Sequence, residues 1–356
     1  MKKTVFNVFV VFLLVPAIAL AGNKWKGKHT KEKKISKEFN VLAPDALLKV
    51  DNSYGNLYIT SWDEDRIVID VTIKVNGNDE KKVQKRLDAI DVEFEFSRVL
   101  VAAKTTFGST KNWRGNNVNM EINYTIKVPI TNNVELKNNY GSISLDKLRG
   151  KASIKCNYGK LDIGELLADE NTLSFDYTTS STIDYMKSGA IHADYSSFTL
   201  DAVENLSLKA DYTNSAIEKV NAIEYSCDYG KLAIEKASDI TGKSSYLTTE
   251  FGTIDGNLQY KSDFGSLKIV ELSEDAKNIQ IKSGYTNIKI GYAPRYSASF
   301  NIQLDYASLK TEGNVSFNIK KEEHNKKYYE GTIGSKNSGN KLLIDSNYGG
   351  VKLIKN

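Results

Sequence analysis

One short pattern limits what this chain can fold into more than any other feature: an aromatic residue, in nine of its copies preceded by Asn or Asp, and followed by a small residue. It occurs in twelve copies, at Tyr54, Tyr140, Tyr158, Tyr177, Tyr195, Tyr212, Tyr229, Phe251, Phe264, Tyr285, Tyr306 and Tyr348. From Tyr140 to Tyr306 most copies lie 17 to 21 residues apart. The gap from Tyr306 to Tyr348 reads as two units with a degenerate copy between. Self-similarity at that period means units that bury their apolar faces by stacking on one another.

Within a unit the side chains four and two before the aromatic share its parity, as in Val134, Leu136, Asn138 and Tyr140. That is a strand with one inward face. After the small residue the parity shifts, and the inward positions fall three and five residues beyond the aromatic, as in Ile143 and Leu145 or Leu267 and Ile269. The aromatic and the small residue therefore make a corner, and Gly55, Gly141, Gly159, Gly230, Gly252, Gly265 and Gly349 suit tight backbone or positive φ there. Extending the parity predicts that the aromatics form one interior column at the strand spacing of about 4.8 Å. The expected fold is all-β: a single-chain parallel β-helix, or β-solenoid, of about twelve coils. Right-handed coiling follows from the crossover rule.

Ahead of the regular coils, Asn78, Asp79 and Glu80 precede a run in which Val83, Leu87 and Ile90 recur at helical spacing. One short helix belongs there. With strand-like runs at Ile67–Val75, Val92–Phe96, Val99–Thr105 and Met120–Val128, it would cap the open end of the stack. The last coil, Leu342–Ile354, has no such cap, so its edge is expected to be covered by a partner or a second copy of the chain.

Lys2 and Lys3, the apolar run Val5–Leu20 and the small-residue site Ala19-Leu20-Ala21 make a secretory signal. The division read from the sequence is a signal peptide (1–21), a basic flexible leader (22–40), a β-rich cap region with one helix (41–130) and solenoid repeats (131–356). No later run is long and apolar enough for a membrane span. The formal charge of +4 drops by two with Lys2 and Lys3 removed, which gives no footing for nucleic acid. Cys156 and Cys227 invite a disulfide in an exported chain, but their corners are four coils apart, roughly 19 Å. A bridge needs Cα atoms within about 7 Å, so two buried free thiols are expected.

Asn-x-Tyr-Gly-x-Leu-x-Ile at Asn52–Ile59, the run from Trp62 to Ile69, Val128-Pro129 and the later Asn-Tyr-Gly repeats resemble the bacterial putative-adhesin family of β-strand-repeat proteins. That family is related to the head domains of autotransporter adhesins. The resemblance spans nearly the whole chain and rests on corners and strands. It implies the fold and an adhesin-like role, and assigns no functional residue.

Two outward rows are candidate sites. Asp176, Asp194, Asp211 and Asp228 stand just before consecutive aromatics, with Asp263 and Asp305 in later coils. They would hold a divalent cation such as calcium or, in the favoured reading, bond turn backbone as Asn139 and Asn157 would. Lys268, Lys289, Lys310 and Lys352 lie four after their aromatics. They would meet an anionic glycan or lipid phosphate or, in the favoured reading, protect strand edges. Lys24, Lys26, Lys28, Lys31, Lys33, Lys34 and Lys37 read as a solvated tether. His29, His192 and His324 show no catalytic or metal spacing. The expectation is an exported, non-enzymatic surface or envelope protein without a cofactor, binding an unknown surface ligand such as a glycan or envelope component. The alternatives are a carbohydrate-active β-helix enzyme of lyase or glycosidase type and a periplasmic scaffold or stress component.

Overall fold

Branched and aromatic side chains alternate with polar ones through most of the chain, a pattern that suits pleated surfaces with one buried face. The computed structural model describes residues 25–41, 43–108, 117–335 and 338–356. The signal peptide of the sequence analysis and Lys24 lie outside them. The described residues form twenty-three strands and one helix, Glu80–Asp88. The protein is all-β, and its contacts divide it into two units, residues 1–166 and 167–356.

In the first unit, Leu47–Ser53 pairs in parallel with Leu100–Phe107 on one side and Asn133–Asn139 on the other. Leu57–Trp62 lies likewise between Val118–Pro129 and Ile143–Leu148. The coil around Tyr54 thus sits inside the one that follows it in sequence. Ala152–Asn157 and Leu161–Leu166 continue the stack in parallel. Antiparallel strands cover the other end: Ile90–Phe96 on Leu100–Phe107, and Arg66–Gly77 on Val118–Pro129. The helix between them starts where Asp79 accepts a hydrogen bond from the backbone N–H of Lys82, and it buries Val83 and Leu87.

The flexible leader needs correction. His29–Asn40 is a strand, paired antiparallel with Arg66–Gly77 along its whole length. Lys31 and Lys33 are half-buried on the same face as Phe39, Lys31 pairing with Glu80 at 3.0 Å and Lys33 with Asp91 at 2.9 Å, while Phe39 packs on Phe94 and Phe96. The charge density that suggested a tether belongs to an edge strand whose lysines are held by carboxylates of the neighbouring helix and strand.

The second unit is a run of parallel strands in which each coil pairs with the next at offsets of 17, 18 or 21 residues, from Asn171–Asp176 to Ile279–Tyr292. Its other end departs from sequence order. Lys341–Asn347 lies between Ile279–Tyr292 and Ala298–Asp305, and Val351–Lys355 lies between Ile279–Tyr292 and Leu309–Glu312. The last coil in sequence is therefore paired on both sides, which overturns the expected open C-terminal edge. The segment read as a degenerate coil is an antiparallel hairpin, Val315–Glu323 and Lys326–Ile333, whose second strand covers Ala298–Asp305.

Ten of the corners carry an unusual backbone, the exceptions being those at Phe264 and Tyr285. Tyr54, Tyr140, Tyr158, Tyr177, Tyr195, Tyr212, Tyr229, Tyr246, Tyr306 and Tyr348 have φ between 51° and 66°, a left-handed conformation costing an L-residue about 1–2 kcal/mol. The bend thus falls on the tyrosine itself. The following residue is left facing inward, where coils come closest: a Cβ on Gly141 would lie 1.8 Å from the Gly55 carbonyl oxygen. At four corners of the second unit the place is taken by Thr178, Ser196, Thr213 and Thr286, and the hydroxyls of Ser196 and Thr213 use the contact. Ser196 Oγ accepts from the Thr178 N–H, and Thr213 Oγ1 accepts from the Ser196 N–H, both at 3.1 Å.

Two residues before the tyrosine, the inward side chains reach the preceding coil. Asn138 Nδ2 donates to the Gly55 carbonyl at 2.7 Å, and Cys156 Sγ donates to the Gly141 carbonyl at 3.4 Å. Cys156 is thus a donor as well as a filler. Both Cys156 and Cys227 are free and buried, and burial pushes each thiol up to about 12. Since the thiolate is the reactive form, both should resist a thiol reagent at pH 8 in the native protein and titrate as two on denaturation. Rapid native labelling of either would show that its core opens.

Candidate interaction surface

At ten corners the left-handed backbone turns the tyrosine ring off the inward face, and Phe264 and Tyr285, whose φ is not positive, stack with those rings, so the predicted interior column stands outside. In the second unit nine rings stack in the order Tyr177, Tyr195, Tyr212, Tyr229, Tyr246, Phe264, Tyr285, Tyr348 and Tyr306, with centroids 4.6 to 5.1 Å apart and planes within 8°. These residues are 36% to 56% exposed. The first unit carries a shorter stack, Tyr54, Tyr140 and Tyr158, with Phe107 set edge-on against Tyr54. Stacked pairs contribute about 0.5–1.5 kcal/mol each, enough to offset much of the backbone cost of the corner.

One ring of the column was assigned to the wrong residue. Phe251 is buried five residues after the true corner, Tyr246, where it pairs in register with the inward Ile269. Tyr246 escaped the pattern because Ser245 and Leu247 flank it. Spacing was the available signal: 17 residues from Tyr229 and 18 to Phe264, against 22 and 13 for Phe251.

The rings shield one another's faces, so the surface they offer is a ribbon of ring edges and phenol oxygens. Burial in the stack, then the adjacent phenols and Asp211, raises Tyr212 above the usual phenol value. Tyr348 is raised in the same way, by burial, then Tyr285, Tyr306 and Asp305.

The acidic row runs beside this ribbon, Asp176, Asp194 and Asp211 being paired in register. Its carboxylates hold backbone: Asp194 Oδ1 accepts from the Asp211 N–H at 3.2 Å, and Asp211 Oδ1 from the Asp228 N–H at 3.0 Å. Asn157 Nδ2 donates to Asn139 Oδ1 at the same place in the first unit. Among the described residues, no three His, Cys, Asp or Glu side chains converge as they would around a metal ion.

The lysine row is brought together in the order Lys268, Lys289, Lys352, Lys310. Lys268 pairs with Glu250 at 2.6 Å and Lys352 with Glu312 at 2.9 Å. A second basic row, missed in the sequence, lies on the other strand of the corner, where Lys243, Lys261 and Lys282 are in register three residues before their rings. Its signal was the recurrence of lysine at that offset in three successive coils.

A shallow groove of about 700 Å³ crosses neighbouring coils at another corner of the second unit. Small residues such as Gly189, Ala190 and Ala222 open it, and Glu170, Glu224 and Asp239 supply its carboxylates. His192 is exposed and stands in register between Ser174 and Lys209. His29 is in the edge strand, and His324 is at the hairpin turn with φ 47°. No helix among the described residues is long and apolar enough to cross a membrane.

No family model and no curated protein matches this sequence. Solved structures align over most of it at low identity. A putative cell adhesion protein from Clostridium sporogenes ATCC 15579 is 12% identical over 92% of this chain and 100% of its own, with a TM-score of 0.19. A putative adhesin from Parabacteroides distasonis ATCC 8503 is 11% identical over 91% and 97%, with a TM-score of 0.31. A putative lipid binding protein from the same organism is 10% identical over 91% and 96%, with a TM-score of 0.28. These values assign the chain to no family.

Proposed function

We propose that this chain is an exported, non-catalytic binding protein of the cell surface or envelope, built as a parallel β-solenoid whose contact face is the tyrosine ribbon of the second unit. The observation that carries the reading is the exposure of nine stacked rings. A half-exposed aromatic side chain leaves roughly 100 Å² in contact with water, so the ribbon presents about 900 Å². The largest apolar patch on an ordinary monomer is about 300–600 Å². Strained backbone repeated at an exposed place is a mark of function rather than of packing. Export rests on the signal-like N-terminal residues of the sequence.

The test is retention on envelope fragments. Changing Tyr212, Tyr229 and Tyr246 together to Asn keeps a residue that tolerates the left-handed backbone while removing the rings. Retention should fall at least tenfold with the far-UV spectrum unchanged; equal retention by the variant would remove the ribbon from consideration. Protease shaving of intact cells, scored against a periplasmic marker, separates outer surface from periplasm.

A carbohydrate-active enzyme is the second reading, favoured by the groove and its three carboxylates. Release of reducing ends from an envelope polysaccharide, abolished by Glu224→Gln, would put it in place of the first.

A further inference from the structure

We propose that the tyrosine ribbon is a site of oxidative modification, at which rings of neighbouring coils couple as dityrosine and fasten one coil covalently to the next. The inference goes beyond the reading of the ribbon as a contact face, because it needs no partner.

The chemistry takes one electron and one proton from each of two phenols. The phenoxyl radicals join at ring carbons ortho to oxygen, and the hydrogens on those carbons move to the oxygens, restoring both phenols. With hydrogen peroxide as the oxidant, turned over by a haem peroxidase, two tyrosines and one peroxide give one dityrosine and two waters.

The ribbon places phenols in pairs for this step. Tyr177, Tyr195, Tyr212, Tyr229 and Tyr246 form one uninterrupted block, and Tyr285, Tyr348 and Tyr306 form another, each ring 4.6 to 5.1 Å from the next. All of them are at least 40% exposed, so an oxidant reaches them and the phenol proton leaves directly to solvent. The coupling carbons adjoin the hydroxyl at the outer end of each ring, where the exposed edge leaves room for two rings to tilt together. Radicals on separate molecules must first meet, whereas radicals on adjoining rings are already in contact, and such proximity replaces an encounter with a local motion.

Phe264 divides the two blocks. It has no phenol hydrogen to give up, and it keeps Tyr246 and Tyr285 two ring spacings apart. The cysteines offer no other fastening, since Cys156 and Cys227 are buried and free. Tyr58 supplies an internal control: it is 46% exposed, and no aromatic ring lies against it among the described residues. Tyr124, Tyr225, Tyr260 and Tyr296 are buried and should stay unmodified.

Treatment of the purified protein with a haem peroxidase and hydrogen peroxide, followed by peptide mapping, tests this. Dityrosine fluorescence should appear, each bond should remove two hydrogens from the intact mass, and linked peptides should join ring neighbours such as Tyr212 and Tyr229. The decisive pair is Tyr285 and Tyr348, adjacent in the stack and far apart in the chain. Its yield should exceed that of any pair containing Tyr58 by at least about tenfold. Tyr348→Phe, which keeps the ring, should abolish the links of the second block and leave those of the first. Phe264→Tyr should add links from the new phenol to Tyr246 and to Tyr285. The oxidised protein should also melt at a higher temperature, because a covalent tie between coils removes conformations from the unfolded chain. No dityrosine under conditions that modify Tyr58, chains joined to one another rather than within themselves, or links that ignore the ring order would overturn the inference. None of these outcomes bears on envelope retention, so this inference and the contact-face reading fail separately.

Discussion

Deletion of residues 341–356 should unfold the C-terminal part of the second unit, although it removes only the end of the chain. The two strands lost are paired on both sides, and they bury Leu342, Ile344, Val351 and Leu353. Emptying a core of one such side chain costs about 2–5 kcal/mol. Four together come to on the order of 10 kcal/mol, comparable with the 5–15 kcal/mol that holds a whole domain. The strands from Ala298 to Ile333 should become sensitive to protease, with a matching loss of far-UV signal. If the truncated protein melts within a few degrees of the intact one, the coil from Ala298 has redocked directly on Ile279–Tyr292. Point changes bracket the effect: Leu353→Ala and Ile344→Ala should each cost about 2–5 kcal/mol.

Gly141→Ala should be the most damaging single methyl in the first unit. The new Cβ would meet the Gly55 carbonyl oxygen at 1.8 Å and its carbon at 2.5 Å. Both are backbone atoms of a paired coil, so relief requires the coils to separate. Overpacking usually costs 1–3 kcal/mol, and a clash with backbone should lie at or above about 3 kcal/mol, a fall in Tm of roughly 6–12 °C at this size. Gly350→Ala is the control, since the nearest atom to its Cβ is 3.7 Å away and its φ is not positive. It should shift Tm by less than about 2 °C. A thermal melt in which the two variants coincide would remove close coil contact as the reason for glycine at this corner.

Much of the fold was legible because stacking repeats the same demand in every coil. The inward positions before and after each corner, such as Leu136, Ile143 and Leu145, could be read from alternation alone and are buried. The helix was legible because Asp79, Val83 and Leu87 combine a cap with helical spacing. The direction of the rings was not. Alternation predicts a side chain's face only while the backbone stays extended, and one left-handed residue, the tyrosine itself, breaks the count where it was being extrapolated. The strand His29–Asn40 was hidden by its lysines, which share the half-buried face of Ile35 and Phe39 and are held there by ion pairs with Glu80 and Asp91 that the local sequence does not show. The exchange of coil order at the end of each unit left no local trace. Every coil offers its neighbours the same apolar rows, so which coil lies next to which is decided by links such as the hairpin Val315–Ile333 and by the cap strands.

That exchange of order bears on how such a protein can change its length. A coil added after Lys355 would follow a strand already enclosed on both sides, and one added before Leu47 would meet the antiparallel cover of the first unit. Duplication is accommodated within runs such as that from Asn171 to Tyr292, where each coil rests on its sequence neighbours. The ends are fixed fittings, and the reach of the ribbon is set by how many coils are copied between them.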